Sequence, residues 1–162
     1  MKDEVDEDAA MVSSRFEIRR KYWAYALPII KQAHADTGCF SGCIGSKDNW
    51  ISGYYGIRGC SILCVANYGL ARIEFYISRD DKNFSKTVFD HLYAHKNEIE
   101  QKLGVPLIWY RGDGFKVSKV MYEQKGISIN NEEDWARMAQ FHATWSKKFY
   151  DAMVGYVFEI TQ

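Results

Sequence analysis

The residues best equipped for chemistry sit in one short run, Ser46-Lys47-Asp48-Asn49-Trp50, with Tyr54, Tyr55 and Arg58 following along the same hairpin. Serine, lysine, aspartate and asparagine offer donors and acceptors of both charges, and Trp50 adds an aromatic plane, so the run could hold a polar ligand and stack against it. The same types also have a plain structural use. Asp48 and Asn49 form turns by bonding nearby backbone, and Trp50 can be the first core residue of a strand. A second group has period two: Arg72, Glu74 and Tyr76 alternate with Ala71, Ile73, Phe75 and Ile77, with Arg79 and Asp80 just beyond. The three polar residues share one strand face. They could converge on a ligand lying across a sheet, or stand in water, where ion pairs contribute about a few tenths of a kcal/mol.

Metal chemistry is less well served. Cys39, Cys43, Cys60 and Cys64 form two C-x₃-C pairs. Cysteines four apart on a strand have Cα atoms roughly 13 Å apart at about 3.3 Å per residue, whereas two thiolates on one zinc lie within roughly 4 Å of each other. Buried free thiols are the expectation, and no metal set is assigned. His91 and His95 have the i, i+4 spacing of a shared metal face, but His95 falls in an apolar stripe and reads as a core-edge histidine; His34 and His142 have no identifiable partner. A carboxylate in the third strand of a helix, three-strand, helix unit resembles the layout of Mg²⁺-dependent nucleases of the restriction-endonuclease type. The Asp/Glu-x-Lys spacing is missing, because Phe75 and Tyr76 follow Glu74, and the preceding strand, 61–67, has no acidic residue. Such an enzyme would have to pair Glu74 with a distant carboxylate such as Asp48 or Glu17. No phosphate-binding glycine loop, nucleophile elbow or His-Glu-x-x-His helix occurs.

These residues need elements to position them. Ser14 and Glu17 have capping-box spacing, and Ile18, Tyr22, Tyr25 and Ile29 recur helically, so a first helix is predicted from about residue 14, kinked at Pro28 and stopped by Gly38. Gly53, Gly56, Gly59 and Gly69 divide three predicted antiparallel strands between Trp50 and Ile77, with a hairpin turn at Asn67-Tyr68-Gly69. Asp81 or Asn83 caps a second helix whose stripe is Phe84, Val88, Leu92, His95, Ile99 and Leu103, ended by Gly104. Two strands, 107–111 and 116–123, flank Gly112-Asp113-Gly114. Asn131 with Asp134 opens a third helix bearing Trp135, Met138, Phe141, Trp145 and Phe149 and running past Met153. The order α-β-β-β-α-β-β-α predicts an α+β fold, a largely antiparallel five-stranded sheet with helices packed on one face.

The 47% hydrophobic and 15% aromatic content belongs to a globular chain, and 162 residues make about one domain. Residues 1–12 read as an acidic disordered tail, because Asp3, Glu4, Asp6, Glu7 and Asp8 repel one another and bring little to bury; one domain over 13–162 is expected. With 21 basic and 21 acidic side chains, no net field steers the molecule to phosphate or anionic lipid, so any nucleic-acid surface must be local. No apolar run reaches the roughly 20 residues of a membrane span and the N-terminus is acidic, which makes a soluble cytoplasmic protein the expectation.

Four separated motifs, Ser46-Lys47-Asp48-Asn49-Trp50, Arg72-Ile73-Glu74-Phe75-Tyr76-Ile77, Phe89-Asp90-His91-Leu92-Tyr93-Ala94-His95-Lys96 and Glu132-Glu133-Asp134-Trp135, resemble in order and spacing a bacterial family of unknown function, DUF4268. The resemblance spans about residues 15–150. It implies an accessory role near nucleic acid, since similar domains often follow nuclease-related domains; it carries no catalytic residues, and the cysteines lie outside it. The expectation is therefore a binding or regulatory module in a bacterial DNA-transaction or defence setting, with no cofactor, contacting nucleic acid or a nuclease-like partner protein. Its candidate ligand-binding residues are Lys47, Asp48, Asn49, Trp50, Tyr54, Arg58, Arg72, Glu74, Tyr76 and Arg79. Lys47, Arg58, Arg72 and Arg79 would meet phosphates or carboxylates, while Trp50 and Tyr54 stack. The alternatives are the divergent Mg²⁺-dependent nuclease and a protein-interaction scaffold, a homo-oligomer through an apolar patch on the Trp135–Tyr150 helix.

Overall fold

A computed structural model describes residues 2–161, with side chains from residue 8 onward. The elements are α1 (Lys2–Ala33), β1 (Trp50–Tyr54), β2 (Cys60–Asn67), β3 (Leu70–Ser78), α2 (Lys82–Ala94), α3 (Lys96–Leu103), β4 (Ile108–Tyr110), β5 (Val117–Lys125), a 3₁₀ turn (Glu132–Asp134) and α4 (Trp135–Thr161). The strands form one five-stranded sheet in the order β1-β2-β3-β5-β4, antiparallel at every step. This is the α+β architecture predicted, with the helices on one face. Among the described residues, no helix is long and apolar enough to cross a membrane.

Local chemistry accounts for most of these elements. Asn67 pairs with Leu70 across the two-residue turn Tyr68-Gly69, where Gly69 takes a positive φ (72°) that glycine adopts without steric cost. Asp81 caps α2 by accepting from the Asn83 N–H at 2.9 Å, and Gly104 ends α3 in the left-handed conformation. Gly53 in β1 has a packing cause: a Cβ there would come within 2.7 Å of the Cys39 Sγ and the Phe40 ring.

The core lies between sheet and helices. Ala71, Ile73, Phe75 and Ile77 of β3 are fully buried, and α4 lies against them and against α1, supplying Met138, Phe141, Phe149 and Met153. Each such large apolar side chain contributes about 1.5–3 kcal/mol on burial. Polar bonds stitch the layers together. The His142 Nε2–H donates to the Val65 carbonyl at 2.8 Å, which leaves Nδ1 to accept from the Tyr22 hydroxyl, also at 2.8 Å. His34 lies 2.9 Å from Ser146 Oγ and 3.0 Å from Thr37 Oγ1. Burial pushes the pKa of both histidines down to about 4 and that of the Cys39 and Cys60 thiols up to about 12 and 11. All four cysteines are free, and only Cys43 is partly exposed.

Four local expectations need correction. The first helix does not start at Ser14 but runs from Lys2, and residues 8–13 are exposed positions of its early turns. Ala9, Ala10 and Met11 are strong helix formers, and acidic residues suit the positive end of a helix dipole. The stretch predicted as one helix from 82 to 103 divides at His95 (φ −105°, ψ 18°), whose N–H bonds back to Leu92 O at 2.9 Å; an unbroken apolar stripe does not register a local change of axis. Asn131 caps a 3₁₀ turn ahead of α4 instead of capping α4 itself. Finally, the aromatic stripe of α4 turns inward: Phe141 and Phe149 are buried, and Trp145 stacks on Tyr122 with ring centroids 4.2 Å apart, so it makes no exposed apolar patch.

Candidate functional site

The face of the sheet away from the helices is open, and the strand register dictates what it presents. Val65 pairs with Trp50 and Arg72, and Arg72 with Glu123. One row along, Leu63 pairs with Ser52 and Glu74, and Met121 with Glu74 and Ile108. In the next row, Ser61 lies beside Tyr54 and Tyr76, and Lys119 beside Tyr76 and Tyr110. Side chains two apart on a strand share a face, so these fourteen positions form a single surface.

Two hollows occupy it. One, of about 430 Å³, has Asn49 and Trp50 at one rim, Leu63 and Val65 on its floor, and Arg72, Glu74, Tyr76 and Lys119 opposite. The second, of about 530 Å³, shares Arg72, Tyr76 and Lys119 with the first and continues across β5 to Met121, Tyr110 and Phe115.

Charge is concentrated at the shared centre. Glu74 is only 3% exposed although no helix covers it. One carboxylate oxygen accepts from Arg72 Nε at 2.7 Å, and the other lies 3.2 Å from Lys119 Nζ. Arg72 Nη1 also approaches Glu123 at 3.8 Å, and Lys119 Nζ sits 5.8 Å from the Tyr76 ring centre. Two cations and two carboxylates thus form a closed, neutral network. Its energetic weight lies in Glu74, since a buried charge that loses its partners is costly.

The Trp50 rim is anchored through the chain before it. Trp23 Nε1–H donates to the Asp48 carbonyl at 2.9 Å, the Ala66 N–H donates to the Asn49 carbonyl at 2.8 Å, and the Asn49 side chain bonds that of Asn67. Trp50 itself remains 45% exposed.

Of the ten predicted site residues, Asn49, Trp50, Arg72, Glu74 and Tyr76 meet in the first hollow. Tyr54 lies on the same face, exposed at the end of β1 and outside the hollow. The other four go elsewhere. Lys47 packs over the Phe16 ring, 5.0 Å from its centre. The Asp48 side chain turns back to the Ser46 hydroxyl at 3.3 Å, the local turn bond its residue type favours. Arg79 donates from Nε to the Arg58 carbonyl at 2.6 Å and stacks 3.5 Å over Phe84, in a separate depression with Asp80 and Asp81.

Sequence reasoning missed Ser52, Ser61, Leu63 and Lys119 in the first hollow and Tyr110, Phe115, Met121 and Glu123 in the second. A signal existed for β5, where Val117, Lys119, Met121 and Glu123 alternate with helix-facing residues. The nuclease arrangement is not assembled. Glu17 pairs with Lys21 at 3.2 Å, Asp48 faces Ser46, and the Glu74 oxygens are engaged by Arg72 and Lys119.

The profile of a domain of unknown function, DUF4268, matches residues 18–157. The chain belongs to the DUF4268 family. No curated protein matches it. Among solved structures, YbjN from E. coli, a proposed transcription regulator, is similar at 10% identity over 78% of this chain and 91% of that one, with a TM-score of 0.35. A likeness of that degree carries no role across.

Proposed function

We propose that this protein is a binding module whose open sheet face docks a partner polypeptide. The observation that carries the reading is the contrast between paired charge and unpaired aromatics on that face. Arg72 and Lys119 are both engaged by Glu74, which leaves little positive charge to grip phosphate. Around them Trp50, Tyr54, Tyr110 and Phe115 stand between 43% and 64% exposed, beside Leu63 and Met121. Exposed aromatic residues, methionine and arginine over a desolvated centre are what protein interfaces are enriched in. The occupant fitting this face carries an apolar side chain for the floor between Trp50 and Leu63, with Ser52 and Ser61 beside it for backbone hydrogen bonds.

Single-stranded nucleic acid is the competing occupant, because bases also stack on sheet-borne aromatics. The two are separated by panning a library of random short peptides against the protein, with the Trp50→Ala variant as counter-selection, and by measuring anisotropy of labelled short oligo-dT and oligo-U at low and moderate salt. A peptide consensus whose affinity falls roughly tenfold or more in Trp50→Ala, while Lys47→Ala leaves it unchanged, is the expected result. Oligonucleotide binding that is steeply salt-dependent and lost in Trp50→Ala would overturn the polypeptide reading, as would the absence of any peptide consensus.

A further inference from the structure

The far side of the molecule holds a cluster that the sheet face does not involve. His91 lies in the last turn of α2, His95 is the residue at which the helix breaks, and Glu159 comes from the end of α4, 68 residues away from His91 in sequence. His91 Nε2 is 2.9 Å from Glu159 Oε2, the two imidazole centroids are 5.2 Å apart, and one ligand atom from each of the three residues lies within 4.8 Å of the others. From these distances the geometry points to a transition-metal site, with His91, His95 and Glu159 as three ligands to a zinc-class divalent cation.

The donor set suits that ion. Zinc takes two imidazoles and a carboxylate with water in the fourth position, at bond lengths of about 2.0–2.2 Å, so donors in a tetrahedral site stand roughly 3.3 Å apart. The His91–Glu159 pair is already inside that separation, and all three ligand atoms lie within 4.8 Å of one another. All three side chains are partly exposed, which gives an ion a way in. An orienting shell is also present. His95 stacks on Tyr156 at 4.3 Å between centroids, the Tyr156 hydroxyl donates to Glu98 Oε2 at 2.9 Å, and the same oxygen lies 3.4 Å from His95 Nδ1. The tautomer that gives its Nδ1–H to Glu98 leaves the Nε2 lone pair free, the carboxylate–histidine arrangement that fixes a ligating ring. His91 and His95, four apart at a broken helix end, thus serve neither as core nor as part of the sheet site; a bound ion would fasten α2 to the final turn of α4.

The test titrates the full chain, stripped with a chelator, with Zn²⁺ against a chromophoric competitor, and with Co²⁺ while its visible absorption is recorded. One Zn²⁺ per chain, a Co²⁺ spectrum of low-coordinate N/O ligation and an upward shift in melting temperature are expected. Affinity should fall at least roughly tenfold in Glu159→Gln and be lost in His91→Gln with His95→Gln. Histidine NMR on the unmutated chain needs no variant to fold: Zn²⁺ should move the ring signals of His91 and His95 and leave those of His34 and His142 in place. Absence of binding, binding that survives the double histidine variant and disappears in Cys43→Ser, or shifts confined to His34 and His142 would each overturn the site.

Discussion

The two faces of the β3 strand stand one residue apart in sequence and in opposite physical regimes. On the covered face Ile73, Phe75 and Ile77 are sealed under α4, and the polar groups admitted there, His142 and Tyr22, satisfy each other and a backbone carbonyl while staying neutral. On the open face Arg72, Glu74 and Tyr76 lie under no helix, yet Glu74 is as buried as many core residues because Arg72 and Lys119 close over it. Burial thus has two sources here. One is layer packing, held by area and shape; the other is a lid of long charged side chains, held by pairing.

Three measurements test whether the two faces differ in this way. The largest effect belongs to packing: Phe75→Ala should cost about 3–5 kcal/mol in urea unfolding, while Tyr76→Ala next to it should cost under about 1 kcal/mol. Comparable losses would erase the distinction between the faces.

The second concerns the neutral polar groups under α4. In the unfolded chain His142 titrates near 6.5, whereas burial lowers its native value to about 4. The unfolded state therefore takes up the proton first. Stability due to this residue is complete above pH 6.5 and is lost as pH falls toward 4, on the order of 3 kcal/mol in total. His34 titrates in the same direction and adds to the slope. Unfolding free energy measured across this window should drop less steeply in His142→Gln, and an identical slope would count against the burial argument.

The smallest of the three tests the lid. Arg72→Ala leaves Glu74 with Lys119 as its remaining cation and should cost about 2 kcal/mol, less than removing a sole partner would. Replacing the pair together, Arg72→Met with Glu74→Leu, should recover most of that loss. Failure to recover would mean that the network is held by something other than charge.

How far the site could be read from sequence follows the same division. The period-two run from Ala71 to Ile77 disclosed both faces of β3, and Asn67-Tyr68-Gly69 its hairpin, because alternation and turn chemistry act over a few residues. Trp50 and Arg72 could be suspected of sharing a hollow because β1, β2 and β3 are consecutive and antiparallel. Lys119 could not be connected to Glu74 in this way. Nothing within 117–125 states that β5 pairs with β3 and leaves β4 at the edge. Lys47 and Arg79, grouped with Arg72 by nearness in sequence and by charge, separate because Phe16, Phe84 and the Arg58 carbonyl offer them closer partners.

Sequence alone determined the α+β class, the order of the strands and main helices, the Asp81 cap, the Tyr68-Gly69 turn and the inward and outward residues of β3, since all of these follow from interactions spanning a few positions. Tertiary structure decided the neighbour of each strand, the closure of Arg72 and Lys119 over Glu74, the helix break at His95, and the approach of Glu159 to His91 and His95. These depend on which distant surfaces bury each other, and that choice minimises exposed apolar area and unpaired charge over the whole chain at once.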